Sequence, residues 1–275
     1  MQMHFRQYQP HPLLKTYIEK IWVFNSNIPI PGDDMKLIVP TGRIKLMIPF
    51  RSVSTAHLNG VTHFTKAQAI TLVGLTDVPA VVNSAANDPS GTIGIEFNPD
   101  GAYRFFRLNY NDLKNQMLSL TDLFGGLGRQ LEEQVSNAAT SDDKILLLQQ
   151  FLINKFSINS EDAVFDFCIR KIRATKGRVS VKELEKQTGY SSRWLNMKFI
   201  ERTGVSPKNL SAIVRFQEVY RAIISGNSAA FNAGLFYDYY YDQSHFIRDF
   251  KRFTGMPPQR LTKMVNEFGR LYDEG

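Results

Sequence analysis

The sequence predicts an α+β protein in two parts: a β sandwich or small barrel with helices, followed by an all-α domain. Three observations carry this reading. Short apolar runs separated by turn residues fill the first hundred positions, as in antiparallel sheets. From about residue 101 the apolar spacing changes to the 3.6-residue period of helices. Charge then divides the chain: residues 1–169 carry 14 Lys and Arg against 16 Asp and Glu, and residues 170–275 carry 19 against 10. The net charge of +7 therefore comes wholly from the C-terminal part. A basic domain behind a near-neutral one fits a polyanion-binding module.

Composition sets further bounds. A chain of 275 residues fits about two domains, and 43% hydrophobic residues are enough for packed cores. No run approaches the roughly 18 consecutive apolar residues of a membrane helix. The opening MQMHFRQYQPHPLL lacks the apolar segment of a signal peptide, so the expected location is the cytoplasm, with no membrane partner. Cys168 is the only cysteine, which excludes an intrachain disulfide and a multi-thiolate metal site. It sits in the helical pattern AVFDFCIRKI and reads as a core residue.

Along the chain, LLKTYIEKIWVF (13–24) mixes helix and strand character. LIVP (37–40) and IKLMIPF (44–50) flank Thr41-Gly42-Arg43, which reads as a hairpin turn. AITLVGL (69–75) and VPAVVNSA (78–85) read as strands, and TIGIEFNP (92–99) alternates into the turn Pro99-Asp100-Gly101. AYRFFRL, NDLKNQMLSLTDLF, GRQLEEQV and SDDKILLLQQFLINKF read as a helical layer, with Ser141 capping the last. The polar FSINSEDA (156–163) reads as the boundary. The expected parts are thus 1–160 and 165–265, with a tail over 266–275.

The basic part repeats itself. A shift of 51 residues superposes Tyr190 on Tyr241, Leu195 on Phe246, Phe199 on Phe250, Gly204 on Gly255 and Pro207 on Pro258. In the first copy, VSVKELEKQ (179–187) reads as a short helix that Ser180 can cap. Thr188-Gly189-Tyr190 breaks it, Ser191 caps a second helix, Gly204 ends that helix and Pro207 starts a third. This is the helix-turn-helix plan. Leu195 and Phe199 point inward; Phe246, Phe250 and Phe253 do so in the second copy. A connector from Pro207 to Ile224 spans about 27 Å as a helix, near the ~34 Å repeat of major-groove faces.

Residues 170–265 resemble the paired helix-turn-helix DNA-binding domain of AraC/XylS-type transcriptional regulators. YDQSHFIRDFKRFTGMPPQRL (241–261) and GYSSRWLNMKFIERTGVSP (189–207) carry the resemblance. The first 160 residues are similar to the N-terminal domain of one group of these regulators, through HPLLKTYIEKIWVF, LIVPTGRIKLMIPF and TIGIEFNPDGAYRFF. The resemblance implies a cupin-like barrel for effector sensing or dimerisation. It assigns base reading to Arg193, Asn196 and Met197 in unit one, and to Gln243, Ser244, Ile247 and Arg248 in unit two. Ser192, Lys198 and His245 become phosphate or flanking contacts. The apolar Met197 and Ile247 suit a thymine methyl. Implied partners are double-stranded promoter DNA, RNA polymerase, a small-molecule effector and a second copy of the chain. Activation is the expected sign. The chain departs from the family pattern at Glu185 and Phe236, where small residues are usual, and at Tyr240, where glycine is usual. With Gly234 nearby, these predict a displaced first helix in unit two.

Enzymatic readings are weaker. Asp242, Ser244 and His245 would diverge on a helix, and Asp242 is better placed as a cap. His4, His11, His57 and His63 do not form a close ligand pair, since Asn59-Gly60 reads as a turn between the last two. No glycine-rich phosphate loop is present, and no cofactor or metal is expected. Trp22, Phe24, Phe97, Tyr103, Phe105 and Phe106 serve as core or as pocket lining. Two alternatives stay open: a catalytic cupin-like domain with a DNA-binding tail, and a ligand-blind module with one inactive helix-turn-helix.

Overall fold

The computed structural model describes residues 3–28, 37–84, 89–156, 162–224 and 235–261. Among the described residues, ten strands lie in the N-terminal part: β1 (Met3–Tyr8), β2 (Ile18–Ser26), β3 (Leu37–Ile38), β4 (Lys45–Pro49), β5 (Ser54–Leu58), β6 (Val61–Thr65), β7 (Thr71–Val73), β8 (Ala80–Ser84), β9 (Gly91–Phe97) and β10 (Met117–Ser119). One sheet has the order β1-β2-β9-β4-β7-β10, and the other β3-β8-β5-β6. All their pairings are antiparallel. The result is the cupin-like double sheet that the resemblance implies.

Two expectations along this part are corrected. Leu37–Ile38 and Lys45–Pro49 do not form a hairpin, because β3 pairs with β8 in one sheet while β4 pairs with β7 and β9 in the other. Gly42, in the left-handed region at φ 72°, turns the chain between sheets. The stretch NDLKNQMLS is not helical. Met117–Ser119 instead adds an edge strand to β7, so a local helical period yields to sheet pairing.

The central strands β2, β9 and β4 of the six-stranded sheet are largely buried on both faces, which explains their nearly continuous apolar runs. On β2, Ile21 and Val23 join the large core beneath the helices, while Trp22 and Phe24 pack with Met3 in a separate cluster. Gly94 on β9 lets Trp22 lie flat across the strand, since a Cβ there would meet the indole at 2.2 Å.

The helical layer comprises α1 (Ala102–Phe105), α2 (Leu120–Phe124), α3 (Gly126–Asn137) and α4 (Ser141–Lys155). Thr140, not Ser141, caps α4: its hydroxyl accepts from Asp143 N–H at 3.1 Å, and Asp143 returns a bond to Thr140. The reciprocal bonds need a carboxylate at the third helical position, which Thr140 has and Ser141 lacks. Most of the boundary stretch, residues 157–161, lies outside the described residues.

The C-terminal part contains α5 (Ala163–Ala174), α6 (Val181–Thr188), α7 (Ser192–Thr203), α8 (Pro207–Ile224), a 3-10 turn at Leu235–Asp238, α9 (Gln243–Thr254) and α10 (Pro258–Leu261). Cys168 is fully buried on α5, and burial pushes its thiol up to about 11, away from thiolate chemistry. Barrel, helical layer and C-terminal helices share one continuous hydrophobic core.

Candidate nucleic-acid interface

Each unit presents one helix built by the same local rules. In unit one, Ser180 caps α6 in a reciprocal pair with Glu183. Gly189 closes α6 in the left-handed region at φ 75°, and Ser191 caps α7 by accepting from Trp194 N–H at 3.3 Å. Leu195 and Phe199 are fully buried, with Phe199 edge-on to Phe165 of α5. Gly204 ends α7 at φ 80°.

The opposite face of α7 is open. Arg193 and Met197 are exposed, and Ser192, Asn196 and Lys198 are half-buried. Lys198 leans over the Trp194 ring and lies 3.6 Å from Glu201. Trp194 also stacks on Tyr190, with ring centroids 4.2 Å apart. The i, i+4 spacing of Tyr190 and Trp194 marks this aromatic step beside the open face of α7 in the sequence.

Glu185, the departure in unit one, has a definite place. Its carboxylate accepts the backbone N–H of Ser192 at the start of α7. The larger side chain therefore occupies the turn as an extra cap rather than forcing α6 and α7 apart.

Unit two repeats the device. Asp242 caps α9, accepting from His245 N–H at 2.7 Å, and Gly255 ends it at φ 74°. Phe246, Phe250 and Phe253 are buried, and Phe216 of α8 packs on the last two at 5.6 and 5.0 Å. Gln243, Ser244 and Arg248 are exposed, and Ile247 is half-buried against the core edge. His245 sits on a different flank: its ring is edge-on to Tyr240, and its Nε2 is 3.7 Å from Asp249.

The predicted displacement of unit two's first helix falls mainly on residues 225–234, which lie outside the described residues together with the Phe236 side chain. Tyr240 is described and is 3% exposed, packed edge-on against Phe246 under the Arg215 guanidinium. In place of glycine it fills a core position behind α9. Asp242, Ser244 and His245 do not converge: Asp242 caps the helix, Ser244 is exposed and His245 turns toward Asp249.

Between the two sheets lies a cavity of about 130 Å³, lined mainly by apolar side chains including Trp22, Phe24, Met47 and Leu58. Arg43 and Lys45 also reach its wall. Both belong to a buried charge cluster around Glu96, which takes Arg43 Nη1 at 3.0 Å and Trp22 Nε1 at 3.2 Å. Lys45 and Lys20 lie 3.8 and 3.9 Å away. Burial alone would raise the Glu96 carboxyl, but the charges of Lys45, Lys20 and Arg43 outweigh it and hold it at about 2. Of the aromatics considered for a pocket, Trp22 and Phe24 line the cavity, whereas Phe97, Phe105 and Phe106 belong to the core beneath the helices, with Tyr103 packed against it. His57 pairs with Thr62 and His63 with Ala56 across the β5–β6 hairpin, so the two imidazoles occupy opposite faces. Among the described residues no group of three or more His, Cys, Asp or Glu is placed to hold a metal ion.

Residues 184–264 match the model of a helix-turn-helix domain, and residues 6–119 match a family described as a domain of unknown function. No curated protein sequence matches the chain. Among solved structures, ToxT from Vibrio cholerae is similar at 14% identity and a TM-score of 0.43, covering 96% of this chain and 98% of that one. The AraC-like transcriptional activator CuxR is similar at 12% identity and a TM-score of 0.27, covering 80% and 86%. A putative mannose-6-phosphate isomerase from Ralstonia eutropha is similar at 12% identity and a TM-score of 0.26, covering 34% of this chain and 83% of that one.

Residues 184–264 thus form a helix-turn-helix domain, the kind of module that binds DNA, and it follows a double antiparallel sheet with a helical layer.

Proposed function

We propose that this protein is a DNA-binding transcriptional regulator of the AraC/XylS type, which reads a specific promoter site through two adjacent major grooves under the control of a small effector bound between its sheets. The observation that carries the proposal is the duplicated device. α7 and α9 each have a side-chain N-cap, an apolar face in the core, a left-handed glycine at the end and a polar face in solvent. Both pack on α8, whose 18 residues make a rod of about 27 Å.

Arg193 and Arg248 have the forked geometry that pairs with guanine, and Asn196 and Gln243 the amide that pairs with adenine. Met197 and Ile247 offer apolar contact to thymine methyls. Ser244, beside Gln243, adds a hydroxyl that can pair with a base edge, whereas Ser192 and Lys198 lie at a helix start or flank, where phosphates pass. His245, turned toward Asp249, serves as a flanking contact rather than a base reader. The domain limits 1–160 and 165–265, cytoplasmic action, homodimerisation and activation through RNA polymerase belong to the same reading.

The cavity supports a small, mainly apolar effector. Its volume is close to that of the engineered cavity of about 150 Å³ that takes up benzene. Arg43 and Lys45 reach the wall from the Glu96 cluster, so a polar group on the ligand would meet charged side chains there.

The test uses the full chain and a duplex selected by it from a random pool. Arg193→Ala and Arg248→Ala should each weaken binding by about 1–3 kcal/mol and relax preference at one base position. Unchanged affinity and preference in both variants would place DNA reading elsewhere.

A further inference from the structure

Both reading helices end against the barrel side, at positions related by the internal repeat. At the end of α7, Glu201 O accepts from Tyr110 N–H at 3.0 Å, and a Cβ on Gly204 would sit 2.5 Å from Tyr110 O. At the end of α9, Arg252 Nη2 lies 2.6 Å from Asp77 Oδ2, and Gly255 faces Pro79. Glu201 and Arg252 are 51 residues apart, as are Gly204 and Gly255, so equivalent turns abut the same body.

Asp77 is the centre of this contact. It lies in the β7–β8 connection, is 4% exposed, and holds side chains from three regions. Lys114 Nζ and Asn115 Nδ2 reach it from the barrel side at 2.8 Å each. Asn209 Nδ2, on the first turn of α8 just past unit one, reaches it at 2.8 Å. Arg252, on the last turn of α9, completes the set. Arg252 follows Arg248 by four positions and therefore flanks the reading face. Without this tie α9 keeps its packing on Phe216 but loses its anchor on the other side. Charge-assisted bonds to a buried, fully paired carboxylate are the strong kind, so the tie is a firm one.

We propose that Asp77 is a positioning residue for DNA reading: it fixes α9 against the end of unit one and so sets the spacing between the two base groups the protein accepts. The inference rests on two-groove reading by α7 and α9. Inserting or removing one base pair rotates one group against the other by about 34°. A rigid pair of helices rejects that rotation, and a loosely tied pair follows it.

The experiment measures anisotropy with the full chain on its selected duplex and on duplexes with one base pair added or removed between the two contacted groups. The wild type should lose affinity on the order of tenfold on the altered spacings, and Asp77→Asn should reduce that loss to about twofold. Arg252→Gln, at a side chain 43% exposed and thus safe for folding, should do the same. The double variant should add nothing further. A purely stabilising role for Asp77 lowers the melting temperature but leaves the spacing ratio unchanged, and that result overturns the proposal. A purely phosphate-binding role for Arg252 weakens all spacings equally, which also overturns it. If the wild type selects no duplex, two-groove reading fails and takes this inference with it. If it does select one and both variants keep its ratio, only the inference fails.

Discussion

Replacing Glu96 with glutamine tests the electrostatic account of the barrel. Glu96 is 1% exposed and is the shared partner of Arg43, Lys45 and Lys20. Its carboxyl is held at about 2 rather than the usual 4.5, which corresponds to about 3 kcal/mol of preference for the charged form in the folded state. Because the folded value is depressed, this contribution is complete above pH 4.5 and is lost as the pH falls from there toward 2. Glu96→Gln also leaves three cations without their common anion, so the loss at pH 7 should be about 3–5 kcal/mol. Urea unfolding followed by tryptophan fluorescence at pH 7 and at pH 3 measures both effects, since Trp22 donates directly to Glu96. The variant should be much weaker at pH 7, and the gap between variant and wild type should narrow at pH 3. A variant as stable as wild type at pH 7, or a gap that stays constant with pH, would refute the reasoning.

Other predictions address packing, backbone and DNA contact. Phe250→Ala empties a fully buried site shared with Phe216 and Phe246 and should cost about 3–5 kcal/mol in denaturant unfolding. Gly204→Ala and Gly189→Ala both place a Cβ on a left-handed residue, but only Gly204 has Tyr110 O within 2.5 Å. Gly189→Ala should therefore cost about 1 kcal/mol and Gly204→Ala clearly more, as read from paired melting curves. Lys251 is exposed on α9 beside the reading face, and Lys251→Ala should weaken all duplexes alike and lower the salt slope by about 1.

The parts of the fold that obey local rules were legible in the sequence. Ser180, Ser191, Asp242, Gly189, Gly204, Gly255 and Pro207 fix helix ends through their own backbone and side-chain chemistry, and each stands where the spacing put it. The buried faces of α7 and α9 follow from period alone. The failures have a common cause, which is partner choice at a distance. Leu37–Ile38 and Lys45–Pro49 look like two arms of a hairpin, yet each finds a better partner in a different sheet. Met117–Ser119 has helical spacing but completes the edge beside β7. The open faces of α7 and α9 could be read from helical period. Asp77 could not, because its partners Asn209 and Arg252 lie 132 and 175 residues away. Nothing in the local sequence marks that aspartate as a link between the barrel, the linker helix α8 and α9. Glu185 and Tyr240 looked like faults against a family pattern, but each found a definite place, one as a cap and one in the core.

The most direct test of the central claim is a hydroxyl-radical footprint of the full chain on its selected duplex. Two-groove reading predicts two protected windows on one face of the DNA, centred about 10 base pairs apart. Arg193→Ala should weaken one window and Arg248→Ala the other. A single window, or two windows that respond identically to both variants, would contradict the claim that α7 and α9 each read their own groove.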